Sequence, residues 1–236
     1  MVRVIAQPVT GQDRRHRRRQ ETIEQALDIA TEVMAEQGAA GLSLGEVARR
    51  MGIQPPSLYV YYESKKAVYD AIFARGWRHL IEAMEVPYCR VDKATNLRAY
   101  ALECAETFVR WAIEHPAWSQ LMFWRPVPKY EPSPDAFAHA IAMLARSRAV
   151  FARLQGRGLF RDDVDIDDAL RAWTVLIAGV ISQQLANAPQ ESFEDGRFTS
   201  GLPDLVAMYL AHYGPPPPQA APTRRSRHAD TRRPDR

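Results

Sequence analysis

Leu42 to Phe73 reads LSLGEVARRMGIQPPSLYVYYESKKAVYDAIF. Ser43 is placed to cap a short helix, because its hydroxyl can accept a backbone N–H that the first helical turn leaves unpaired. Leu44, Val47, Ala48 and Met51 then recur at i, i+3, i+4 and i+7, which is one stripe of a helix. Gly52 tolerates a left-handed backbone and ends that helix. Ile53 plugs the core. Pro55 and Pro56 suit the first turn of a second helix, where a missing N–H costs little. Leu58 and Tyr62 fall one turn apart and point inward. Ser57, Tyr59, Val60 and Tyr61 are left on the outer or lateral faces. Ser64 restarts a helix, with Lys65 in its first turn.

Two short helices joined by a glycine turn form a helix-turn-helix pattern. The B-DNA major groove admits one helix with a polar outer face, while the preceding helix crosses the backbone. The same geometry also occurs in helical hairpins that touch no DNA. Upstream, Ile23, Ala26, Leu27, Ala30, Val33 and Met34 keep helical spacing, and Gly38 closes the run.

With Gly41-Leu42-Ser43, Val47-Ala48, Met51-Gly52-Ile53, Ser57-Leu58-Tyr59 and Tyr62-Glu63-Ser64-Lys65 in this order, the stretch resembles the tetracycline-repressor (TetR) family of bacterial regulators. The resemblance is specific over residues 20–80 and architectural beyond them. It implies an all-helical homodimer on a near-palindromic operator, released by a small molecule held in the C-terminal domain. It further implies that Tyr59, Tyr61 and Lys65 meet phosphates and that Ser43 touches the backbone. Gln54, Ser57 and Tyr59 become the candidates for base edges. Gly45 and Pro55 depart from the pattern, since relatives often carry long polar readers there. Thin direct readout leaves more of the specificity to groove shape and to the N-terminal arm.

That arm reads Arg-Arg-His-Arg-Arg-Arg over residues 14–19. The balance of Lys+Arg against Asp+Glu is +3 over residues 1–80, −4 over 81–214 and +4 from 215 onward. Positive charge therefore gathers at the two ends. Arg17, Arg18 and Arg19, next to the first amphipathic helix, can follow a phosphate backbone or enter a narrow minor groove. A charge run of this kind also serves simply as a solvated leader.

A chain of 236 residues with 46% hydrophobic content can bury one substantial core. The first fifteen residues hold no apolar run of signal-peptide length. Two cysteines, Cys89 and Cys104, make no disulfide framework. Both points favour a cytoplasmic location. The last residues, PPPPQAAPTRRSRHADTRRPDR, have no apolar face and are expected to stay disordered.

Between these ends, helical periodicity continues. A helix from Ser64 to about Met84 is expected to stop before Pro87. Others follow over about 95–115, with Cys104 on its apolar stripe, and around Trp118, Leu121 and Met122. Four prolines make Arg125 to Pro134 an extended loop. The next helix turns Phe137, Ile141, Leu144 and Phe151 inward and stops at Gly156 and Gly158. Residues 167–188 carry no charge between Arg171 and Glu191 and are apolar nearly all round, so more than one face must be covered. A membrane span is the rival, but Thr174, Ser182, Gln183, Gln184 and Asn187 interrupt a stretch that would need ~20 apolar residues. Residues 201–213 form the last helix. By resemblance, 167–188 and 201–213 make the homodimer interface. Trp111, Trp118, Met122, Phe123, Phe137, Met143 and Trp173 are candidates to line a site for a small apolar or amphipathic ligand. His115, Arg125, His139 and Arg146 could orient it. Aromatic residues at helical spacing serve as plain core as well.

No catalytic constellation is visible, so no enzyme is expected. The six histidines lack HxxxH or HxxE spacing and there is no CxxC, which argues against metal. No cofactor loop occurs. The acids from Asp162 to Asp168 fail a calcium-loop count and suit a helix N-terminus instead. The expected organisation is all-α, with a disordered basic arm over 1–19 and a three-helix helix-turn-helix DNA-binding domain over 20–66. A larger ligand-binding and dimerisation domain covers 67–213, and a disordered tail 214–236. The rival function is a helical scaffold with nonspecific nucleic-acid affinity. Replacing the arginines between Arg14 and Arg19 by alanine is expected to weaken operator binding. It should also flatten the plot of log affinity against log salt, by about 0.9 for each phosphate left without its cation. An unchanged slope across a salt series would make the run a bystander.

Overall fold

The computed structural model describes residues 11–215, and the expected disordered tail, like the first ten residues, lies outside them except for Gly214 and Pro215. Among the described residues there are nine α-helices and no strand. They are α1 (Gly11–Gln37), α2 (Leu44–Arg50), α3 (Pro55–Leu58), α4 (Lys65–Cys89), α5 (Leu97–Glu114), α6 (Pro116–Trp124), α7 (Pro134–Gly156), α8 (Ile166–Asn187) and α9 (Leu202–Tyr213).

Ala26, Leu27, Ala30, Val33 and Met34 are the buried stripe of α1. The arginine run expected as a disordered arm is instead the first turns of this helix, exposed on every side. Nothing between Gly11 and Gln37 breaks a helix. Arginine and glutamine are good helix formers, and Asp13 sits in the first turn, where a negative charge is favoured.

Ser43 caps α2 by accepting from the Glu46 backbone N–H at 3.4 Å. Leu44, Val47 and Ala48 are buried, and Met51 packs partly against the same core. Arg50 binds Glu46 on its own helix and reaches Glu36 of α1, which ties the two helices together at the surface. The turn into α3 needs Gly52, whose φ of 70° suits a residue without a β-carbon. Pro55 begins α3, and Leu58, 1% exposed, is its anchor. Tyr62 continues the same turn, its backbone N–H donating to the Leu58 carbonyl at 3.1 Å, and is buried too.

Ser64 caps α4 through the Ala67 backbone N–H at 3.1 Å. Val68, Tyr69, Ile72, Phe73, Leu80 and Met84 are buried along it, and the helix packs against α1, α5, α6 and α7. It does not stop before Pro87 but runs through it to Cys89. A proline near a helix end forfeits one hydrogen bond to the residue four back, and only one more turn follows, so termination is delayed rather than immediate. Asp70 of α4 anchors the proline-rich loop, accepting from the Tyr130 hydroxyl at 2.9 Å and the Ser133 backbone N–H at 3.1 Å.

In α7 the inward face differs from the expected one. Ala136, Met143, Val150, Phe151 and Leu154 are buried, whereas Phe137, Ile141 and Leu144 are exposed. The helix carries two apolar stripes, and periodicity alone does not say which one meets the core. By length and composition α8 could cross a membrane. Here Leu170, Ile177, Val180 and Ile181 pack inward. Gln184 is fully buried, donating to the Ala188 carbonyl at 2.8 Å and accepting from the Phe198 N–H at 3.1 Å. On α9, the Tyr209 hydroxyl reaches back to the Ala169 carbonyl of α8 at 2.8 Å.

Leu58→Ala removes the side chain that seats α3. Its cost is expected to be about 3 kcal/mol, as for other buried leucines, read as an earlier urea midpoint.

Candidate nucleic-acid face and internal cavity

The N-terminal helices leave most of the candidate contact residues exposed. Gln54, Pro55 and Ser57 are exposed on α3, and Tyr59 just after it is 53% exposed. Ser43 and Lys65, at the starts of α2 and α4, are exposed as well, while Tyr61 is half-buried. The guanidinium of Arg19 lies over the Tyr61 ring, 5.3 Å from its centroid, so the arginine run of α1 ends beside them. Arg17 and Arg18 are exposed beside it. The Lys65 ammonium is placed by the Ala40 carbonyl at 3.4 Å and the Tyr69 ring at 5.5 Å. Of the ten sequence candidates, nine are thus exposed and Tyr61 is half-buried beneath Arg19.

Charge on this unit is sorted by its partners. Glu46 is held down to about 2 by hydrogen bonds from Arg49 and Arg50, so it remains an anion and cancels them. Arg50 is further bound by Glu36. Arginines of α2 therefore add little net positive field, and the arginine run in the first turns of α1 supplies most of it.

In the C-terminal domain, α4 to α9 enclose a cavity of about 340 Å³. Met122, Phe123, Met143 and Trp173 belong to its wall, as expected. Trp111, Trp118 and Phe137 do not. Trp111 donates to His79 Nδ1 at 2.7 Å and stacks on His115, whose ring is nearly parallel to that of Trp118. Burial, with His115 adjacent, holds His79 below its usual range and keeps that nitrogen available as an acceptor. Phe137 stacks on Phe73 at the surface, 6.4 Å between centroids. His115, Arg125, His139 and Arg146 are absent from the wall too, and Arg146 is paired with Glu85 at 2.7 Å.

Sequence reasoning missed Tyr88, Tyr100, Cys104 and Phe108 as wall residues. A signal existed: Tyr100, Cys104 and Phe108 repeat every fourth residue on α5, and Trp173, Ile177 and Ile181 do the same on α8. Facing stripes of this kind can close around a void.

One short helix connects the two regions. Met122 of α6 lines the cavity, and a β-carbon built on Gly76 of α4 would lie 2.5 Å from its sulfur. Four residues earlier, the Trp118 indole N–H donates to Thr31 Oγ1 of α1 at 3.2 Å.

The family model for bacterial regulatory proteins of the tetR family matches residues 26–72, and a tetracyclin repressor-like C-terminal domain matches residues 101–200. The HTH-type transcriptional regulator YobS of Bacillus subtilis is 29% identical over 94 residues, covering 39% of this chain and 46% of that protein. The HTH-type transcriptional regulator Rv1816 of Mycobacterium tuberculosis is 24% identical over 143 residues, 60% of this chain and 59% of that one. The chain thus spans about half the length of these curated relatives. In fold it is similar to the transcriptional regulator FadR from Bacillus subtilis, solved in complex with stearoyl-CoA. The TM-score is 0.63 at 13% identity, covering 80% of this chain and 97% of that one.

The Trp118–Thr31 bond can be weighed by a double-mutant cycle. Trp118→Phe and Thr31→Val are each expected to lower stability by about 1 kcal/mol, and the pair by less than the sum. Strict additivity in chemical denaturation would show that the bond couples nothing.

Proposed function

Since the chain belongs to the TetR family of bacterial regulatory proteins, we propose that it is a DNA-binding transcriptional regulator. In this reading it acts as a homodimer on a near-palindromic operator, as a repressor released when a small ligand fills the cavity. The observation that carries the reading is the exposed edge from Gln54 to Tyr59, flanked by Lys65 and by Arg19 over Tyr61. Polar and aromatic groups there suit phosphate positioning and a few base edges, and the adjacent arginines of α1 add sequence-independent attraction.

Dimerisation through α8 and α9 is supported by what those helices leave uncovered. Val175 is 67% exposed and Met208 69% exposed, on helices whose other faces are buried. Apolar groups of this size call for a cover, and a twofold axis would supply the same face from a second copy. Such pairing sets two α3 segments at a fixed spacing, as successive major grooves require.

Ligand release fits the path through α6. A group entering beside Met122 presses on the helix that also meets Gly76 of α4 and Thr31 of α1. If the occupied cavity favours a different tilt of the N-terminal unit, binding shifts the population toward dimers that no longer match the operator. The FadR of similar fold was solved with stearoyl-CoA, an amphipathic molecule with a long apolar chain, which supports a small-molecule effector with an apolar part. The reading places the protein in the cytoplasm and gives it no catalytic role.

Selection from random duplexes, followed by affinity measurement at physiological salt, tests the main point. A regulator should prefer its selected palindrome over random DNA by ~10³ or more, whereas a nonspecific scaffold would not discriminate. Tyr59→Ala combined with Lys65→Ala is expected to weaken operator binding at least about tenfold, or ~1.4 kcal/mol. Sedimentation and circular dichroism should show the dimer and its helix content unchanged. Undiminished binding by this variant would move the DNA site elsewhere.

A further inference from the structure

The wall of the cavity contains no Asp, Glu, Lys, Arg or His. Its ionisable groups are three tyrosines and one cysteine. Burial pushes the Tyr88 hydroxyl and the Cys104 thiol each up to about 12 and raises Tyr100 and Tyr209 as well, so all four stay neutral at physiological pH. An anion brought inside would lose its hydration and meet no counter-charge, a cost that usually drives such a group to neutralise or stay out.

Most polar atoms of the wall already have partners. The Tyr88 hydroxyl and Ser147 Oγ lie 2.8 Å apart, Thr174 donates to the Leu170 carbonyl at 2.9 Å, and Tyr209 donates to the Ala169 carbonyl at 2.8 Å. Among the fully buried ones two do not: the Trp77 indole N–H and the Tyr100 hydroxyl have no oxygen or nitrogen partner. Tyr100 has only the adjacent Cys104 thiol, a weak acceptor at best. Buried donors in a native protein are nearly always satisfied by protein or water. Both side chains belong to the wall, and since neither polar atom has water-sized space beside it, an acceptor oxygen carried by a ligand reaches them as the wall adjusts around it.

We propose that the cavity takes an uncharged, mainly apolar molecule bearing one or two acceptor oxygens, such as a ketone, ester or lactone, with Trp77 and Tyr100 as its donors. This rests on the reading of the cavity as the effector site and specifies the chemistry that site selects. The volume sits at the small end of ligand pockets, which suits a molecule held whole rather than a chain with a large polar head. Exposed Leu144 and Thr174 belong to the lining, so the void communicates with solvent beside α7 and α8.

The test uses the full chain without DNA and three probes of matched size: valerophenone, pentylbenzene and 5-phenylvalerate. The first carries a ketone, the second a methylene in its place, the third a carboxylate. Equilibrium dialysis at pH 7.5 gives their affinities. Valerophenone should bind at least about tenfold more tightly than 5-phenylvalerate, as expected when a charge is buried unpaired. Trp77→Phe and Tyr100→Phe should each weaken valerophenone about fivefold, the usual worth of one hydrogen bond, and leave pentylbenzene within about twofold. Circular dichroism confirms that each variant is folded, and Thr107→Val, which removes a hydroxyl bonded to the Glu103 carbonyl outside the cavity wall, should leave valerophenone unchanged. The assignment is overturned if the carboxylate binds as well as the ketone, if both phenylalanine variants retain full ketone affinity, or if none of the probes binds. Operator release is measured separately. A chain that binds the ketone without leaving DNA would keep this assignment and lose the release mechanism.

Discussion

Burial of α4 is the constraint on which the rest of the molecule depends. One uninterrupted helix, capped by Ser64, lies among α1, α5, α6 and α7 and contributes Ile72 and Leu80 at zero exposure. Its first turns complete the helix-turn-helix unit and its last turns wall the cavity, at Met84 and Tyr88. A helix is stiff along its axis because each turn is bonded to the next. The N-terminal unit cannot reorient without moving a wall of the cavity, and the reverse holds too.

The parts of the fold legible in sequence are those where each helix has one apolar face and a capping residue. Ser43, Gly52, Leu58, Tyr62 and Ser64 stand where spacing put them, because short helices on a small core leave few choices. α7 was not legible in this way. Both Phe137-Ile141-Leu144 and Met143-Val150-Leu154 keep helical spacing, and the packing of α7 against α4 and α8 selects the second. Pro87 misled for a related reason: a breaker signal says where a helix weakens, whereas neighbours decide whether it ends.

The cavity was half legible. Large residues mark where apolar surface is, but not which of it lines a void and which is packed solid. Trp111 and Trp118 looked like lining and are packed against histidines, because each indole N–H found an acceptor, one on His79 and one on Thr31. Two residues of the wall, Trp77 and Tyr100, show the opposite property, an indole and a phenol left without one. The charge pattern shows the same dependence on pairing. Arg49 and Arg50 look like part of a basic surface in sequence, yet Glu46 and Glu36 neutralise them, and the positive field is left to the arginine run at the start of α1.

Gly76 has a mechanical consequence. With only a hydrogen there, α4 and α6 touch backbone to side chain, and α6 has no room to slide toward α4. Any side chain larger than hydrogen at position 76 would have to displace the Met122 sulfur, which belongs to the cavity wall. The size of one residue on α4 therefore helps to set the shape of the void, although residue 76 itself never touches it.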